Sequence, residues 1–135
     1  MRARGDVEIG GNLQSGNLLR ISNRSGDVQI LGSASGARSV DIRSRGDLNV
    51  AGEIVSGERD VRLSADDEIV IESTSSIESG NNTSLRTRFG NINIFGNIFA
   101  GLFSSRSTRG DIRIDAGGGA NIEGELDALG EVINR

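Results

Sequence analysis

Three Arg-Gly-Asp tripeptides are the first residues in this sequence that could do chemistry: Arg4-Gly5-Asp6, Arg45-Gly46-Asp47 and Arg109-Gly110-Asp111. An exposed turn of this kind presents a guanidinium beside a carboxylate, the pair that integrin-type receptors engage. The run Asp66-Asp67-Glu68 offers oxygen ligands of the sort a hard cation takes. Three consecutive side chains around a corner point in different directions, however, and the glycine-rich nonapeptide calcium repeat is absent, so a solvated turn is the better reading. Paired carboxylates could also cleave glycosides, but no carboxylate cluster recurs at a fixed interval and no Trp or Tyr supplies a sugar platform.

What is missing narrows the chemistry further. The 135 residues include no Cys, His, Lys, Pro, Trp or Tyr. Thiolate sites and disulfides need Cys, and imidazole is the commonest metal ligand and acid–base group. A Schiff-base lysine is excluded. Every basic residue is Arg, interleaved with acids along the chain to a formal charge of −4, which predicts no basic stripe for nucleic acid. No segment approaches the roughly 20 apolar residues of a membrane-spanning helix. The expectation is a non-enzyme with no cofactor and no metal.

The elements that must position these residues come from a repeat. Gly-Asp-Φ-x-Φ (Φ, apolar) occurs at Gly5-Asp6-Val7-Glu8-Ile9, Gly26-Asp27-Val28-Gln29-Ile30, Gly46-Asp47-Leu48-Asn49-Val50 and Gly110-Asp111-Ile112-Arg113-Ile114. Variants stand at Asp67-Glu68-Ile69-Val70-Ile71 and Gly90-Asn91-Ile92-Asn93-Ile94. Starts at 5, 26, 46, 67, 90 and 110 give intervals of 20 to 23 residues. Inside the units an apolar residue recurs at Leu13, Ala34, Ile54 and Ile98. A small-Gly step follows at Ser15-Gly16, Ser35-Gly36, Ser56-Gly57, Ser79-Gly80 and Ala100-Gly101. Then comes a second Φ-x-Φ strand, as in Leu19-Arg20-Ile21, Val40-Asp41-Ile42 and Val61-Arg62-Leu63.

Alternation at period two makes short strands with one face inward. Glycines at fixed offsets, Gly5, Gly26, Gly46, Gly90 and Gly110, are read as positive-φ corners between them. A unit of this size cannot bury its inner face alone and must stack on copies of itself. The predicted fold is all-β, a right-handed parallel β-helix (solenoid) of about six coils with roughly 20 residues per coil. At the usual strand spacing such a rod is roughly 29 Å long. A β-sandwich would also repeat strands, but its turns would not return the same residues in register.

The pattern GD-Φ-x-Φ-x-G-x-Φ-x-SG-xxx-Φ-x-Φ-x-SR, clearest over residues 45–73, resembles the repeats of filamentous haemagglutinin-type proteins. These are the exoproteins of two-partner secretion, and contact-dependent inhibition effectors carry similar stalks. The resemblance covers residues 4–114 well and 115–135 loosely. It implies a surface rod of a Gram-negative bacterium, secreted or on the outer cell surface, whose own longer chain continues the stack and whose contacts are host-cell or bacterial surface receptors.

Two irregularities remain. Glu72 to Thr83 carries extra residues, and Thr83–Thr87 reads as a weak strand with one clear apolar residue, Leu85. Just beyond lie all four aromatics, Phe89, Phe95, Phe99 and Phe103. Phe95 and Phe99 each follow an inward-type isoleucine. Phe95, Phe99 and Phe103 therefore form an external contact patch, unless the inserted loop covers them or a widened coil buries them. Residues 115–135 are expected as an irregular last coil, and residues 1–135 as one β-helix segment, the interior of a longer solenoid. The function expected is a structural stalk segment of an adhesin or exoprotein. The alternative is a small cytoplasmic β-helix protein that polymerises end to end as bactofilins do. The three Arg-Gly-Asp turns are placed at one repeat position, which makes the repeat's own corner the simpler account of them.

Overall fold

Each coil of the chain is built from three short strands, and the strands stack into three parallel sheets around an aliphatic column. The computed structural model describes residues 1–101 and 110–135. The first coil holds β2 (Val7–Ile9), β3 (Asn12–Ser15) and β4 (Leu18–Asn23), preceded by β1 (Arg2–Ala3). The second holds β5 (Val28–Ile30), β6 (Ser33–Gly36) and β7 (Ser39–Ser44), and the third β8 (Leu48–Val50), β9 (Glu53–Ser56) and β10 (Val61–Ala65). The fourth has β11 (Ile69–Ile71), β12 (Ser76–Ser79) and β13 (Thr83–Thr87), the fifth β14 (Ile92–Ile94), β15 (Asn97–Ala100) and β16 (Ile112–Asp115). The sixth has β17 (Ala120–Ile122), β18 (Leu126–Ala128) and β19 (Val132–Asn134). Sheet A is β1-β4-β7-β10-β13-β16-β19, sheet B is β2-β5-β8-β11-β14-β17 and sheet C is β3-β6-β9-β12-β15-β18. The fold is a parallel β-helix of six coils, as the repeat predicts.

Period-two alternation decides what is inside. Val28, Ile30, Leu48, Val50, Ile69, Ile71, Ile92 and Ile94 point into the column from sheet B and are fully buried. Ile54, Ile77 and Ile98 do so from sheet C, and Ile21, Ile42, Leu63, Leu85 and Ile112 from sheet A. Successive coils place an aliphatic residue in the same slot, so the inward side chains stack along the column. The strand predicted as weak, β13, is complete. Its buried Thr83 donates its hydroxyl to Ser79 Oγ at 3.0 Å, and Thr87 donates to the Gly90 carbonyl at 2.7 Å. With those hydrogen bonds made, a threonine costs little inside the column.

Three sequence expectations need correction. Gly110-Asp111-Ile112-Arg113-Ile114 is not the sixth copy of the first strand. Ile112–Asp115 pairs with Thr83–Arg86 in sheet A, and the sixth coil's sheet B strand is Ala120–Ile122, paired with Ile92–Ile94. Asp60-Val61-Arg62-Leu63 already shows Asp-Φ-x-Φ in sheet A, so that pattern serves two sheets. The interval of 20 does not mark a coil, because Gly110 lies beside Gly101 at the C–A corner. A Cβ on Gly110 would lie 2.5 Å from the Gly101 Cα. Residues 116–135 then complete a regular sixth coil with a strand in every sheet rather than an irregular one.

The second correction concerns the corner glycines. Only Gly5, Gly26 and Gly101 have positive φ among the described residues. Gly46, Gly90 and Gly110 are glycine for want of room: a Cβ would approach the Gly26 carbonyl at 2.9 Å, the Asp67 carbonyl at 2.2 Å and the Asn81 carbonyl at 2.3 Å. Gly110 also sits at the C–A corner, not at the A–B corner shared by the other four. Third, the extra residues after Glu72 form a tight turn closed by Ser75, whose N–H and hydroxyl both donate to the Glu72 carbonyl.

The Asp of the repeat has a bond that explains it. Asp6 Oδ1 accepts the N–H of Asp27 at 3.0 Å, Asp27 Oδ1 that of Asp47 at 2.8 Å, and Asp47 Oδ1 that of Glu68 at 3.0 Å. A second ladder at the C–A corner runs Asp60, Asn82, Asp111, Glu131 by the same device. Each carboxylate satisfies a backbone donor one coil on, where the corner interrupts the sheet. Asp27→Ala is expected to lose about 1 to 2 kcal/mol. Asp27→Asn should lose under half of that, because Asn82 and Asn91 accept equivalent N–H groups. Urea denaturation of the two variants checks this, and equal losses would refute the ladder's role.

Candidate functional site

The surface of the rod offers two kinds of candidate, the Arg-Gly-Asp turns and the phenylalanines. Arg4-Gly5-Asp6 and Arg45-Gly46-Asp47 both lie at the A–B corner. Gly110-Asp111 lies at the C–A corner, and Arg109 falls outside the described residues. The three copies therefore do not share one repeat position. Each aspartate has a structural partner: Asp6 and Asp47 hold the next coil, and Asp111 takes the Glu131 N–H with one oxygen while Arg113 pairs with the other at 3.4 Å. The arginines of the first two turns project from the exposed corner.

Phe95 and Phe99 stand outside the aliphatic column and are half-buried. Phe99 follows Ile98 on the outer face of sheet C, and Phe95 follows Ile94 at the B–C corner. Neither inserted loop nor widened coil encloses them, since the turn at Glu72–Ser75 is short and the column keeps its register through Ile77 and Ile98. Phe103 falls outside the described residues. Phe89 is the most exposed of the described phenylalanines, at 64%, and lies at the A–B corner with the Arg88 guanidinium 4.9 Å from its ring centroid.

Sequence reasoning missed what frames the two rings. In the sheet C ladder, Phe99 stands between Glu78 and Asp127. Phe95 holds the corresponding place between Glu72 and Glu123, because Phe95 N–H donates to Ile71 and Glu123 N–H to Ile94. Carboxylates thus flank each phenylalanine on both neighbouring coils. The residues are 21 to 28 positions apart in the chain, so only the coil-to-coil register brings them together. Phe95→Ser with Phe99→Ser is expected to lose about 1 kcal/mol per ring and to keep the β spectrum in circular dichroism. Loss of the folded spectrum would make the rings part of the core.

Asp66, Asp67 and Glu68 do not converge. Glu68 Oε1 accepts from Asn93 at 2.6 Å, and Asp67 is exposed. Among the described residues no group of three acids is arranged to hold a metal ion, and no helix is long and apolar enough to cross a membrane. Compared with protein-family models, curated proteins and solved structures, the chain finds no match.

Proposed function

We propose that this chain is a non-enzymatic stalk segment of a secreted or cell-surface bacterial exoprotein, in which the stacked coils space a binding or toxic element from the surface that carries them. The observation that supports this reading is the continuity of the column. Inward aliphatic residues run through all six coils in three unbroken parallel sheets, with neighbouring rungs joined by backbone bonds and by the aspartate ladders. Each coil is held by its neighbours, as in other solenoids, and a load along the axis is shared by three sheets at once. The repeat's likeness to filamentous haemagglutinin-type stalks supports the bacterial surface as its place.

A second reading, a β-helix protein that polymerises end to end, draws on the last coil. Its inward Ile122, Leu126 and Ala128 are half-exposed and Val132 is 46% exposed. A further coil would cover them, whether it belonged to a continuation of the same chain or to another copy. An immunoblot of fractionated source cells separates the readings. A very large species at the surface or in the medium is the expected result. A species near 14.2 kDa confined to the cytoplasm would overturn the stalk and favour the filament.

A further inference from the structure

Winding the chain into coils gathers its arginines on one side, where acids such as Asp6, Asp27 and Asp47 stand beside them. Sheets B and C and the corner between them carry no arginine, and their charged residues are all acids: Glu8, Glu53, Glu72 and Glu78, with Glu123, Glu125 and Asp127 in the last coil. Every arginine among the described residues lies on sheet A or at its two flanking corners. Arg4, Arg24 and Arg45 occupy one column, since Ala3 aligns with Asn23, and Ser22 with Arg43. Their spacing is therefore about 4.8 Å from coil to coil. Stacked like charges oppose folding. Arg20 and Arg43 share buried Asp41, and Arg62 pairs with Asp60, but Arg4, Arg24 and Arg45 have no ion pair among the described residues. Beside them, Arg2, Arg20, Ser22, Arg24 and Arg43 line an open hollow.

The opposite edge has the complementary chemistry. A phenyl ring flanked by carboxylates suits guanidinium, which pairs with the acids and stacks on the ring. We propose that the Phe95 and Phe99 edge of one molecule docks on the Arg4, Arg24, Arg45 column of a second copy, side by side. Both surfaces repeat at the same strand spacing, so successive rungs meet in register. The two surfaces differ, so the contact is heterologous and leaves one of each free, and assembly is open-ended. This docking goes beyond the stalk reading and does not depend on it.

Sedimentation velocity of the 135-residue chain tests it between about 0.01 M and about 1 M salt, where the screening length falls from about 30 Å to about 3 Å. Oligomers at low salt that dissociate at high salt are expected. Arg4→Glu, Arg24→Glu and Arg45→Glu together, or Glu123→Arg with Asp127→Arg, should each weaken association by at least about tenfold. Mixing the two variants should restore it, because each supplies the surface the other has reversed. Melting curves confirm that both are folded. A monomer at low salt, association indifferent to either reversal, or failure of the mixture to assemble would overturn the proposal. Salt-resistant assembly insensitive to both reversals would instead mark stacking at the rod's ends. A monomer that binds a polyanionic resin would assign the arginine column to a foreign polyanion.

Discussion

Gly52→Ala is expected to destabilise the protein by about 3 kcal/mol, with a fall in melting temperature of roughly 10 °C. A Cβ there would lie 1.8 Å from the Gly32 carbonyl oxygen and 2.8 Å from that of Leu31. Both atoms are backbone, held by the ladder, and cannot rotate away as a side chain would. The same restriction recurs along the B–C corner: a Cβ on Gly32 would lie 2.1 Å from the Gly11 carbonyl oxygen, and one on Gly124 1.8 Å from that of Gly96. None of these glycines has positive φ, so the requirement is close approach and not backbone conformation. Gly11→Ala is the matched control. It starts the column with nothing within 4 Å of its Cβ, and a nearly unchanged melting temperature is expected. Equal melting temperatures for the two variants would show that the corner can spread to admit a methyl group.

Ile71→Ala should cost about 2 to 5 kcal/mol. Ile71 is fully buried and stacks between Val50 and Ile94 in sheet B, so the cavity would open in mid-column with rigid backbone on both sides. Because a solenoid's stability is close to a sum of coil and neighbour terms, the damage should be local. Hydrogen exchange is expected to quicken first in the amides of coils three to five, while the first coil keeps its protection longer. Ile122→Ala, in the same column but half-exposed in the last coil, should cost less than half as much by urea denaturation. Uniform loss of protection along the rod would show that it unfolds as one cooperative unit.

Strands, inward faces and coil number were legible in the sequence because they rest on local alternation repeated at a nearly constant interval. Ile30, Val50, Ile71 and Ile94 could be assigned to the core one unit at a time, and Phe95 and Phe99 placed outside it by the same parity. The Gly110 motif misled because Asp-Φ-x-Φ fits sheet A as well as sheet B, and an interval of 20 residues imitated a coil. The repeat marks the corner glycines but not their reason: it suggests positive φ, where the cause at Gly46 and Gly90 is a carbonyl in the coil before.

The sequence by itself determined that this chain winds into stacked coils, since a repeated two-residue alternation permits little else. Tertiary structure alone decided which glycines have no room, which backbone N–H each corner aspartate accepts, and where the arginines go. In the linear chain arginines and acids alternate closely enough to look balanced. Winding carries every described arginine to one side and leaves Phe95 and Phe99 among carboxylates on the other. The physical reason is that these contacts join residues a whole coil apart, and a coil's length at each corner is set by packing against the rungs beside it.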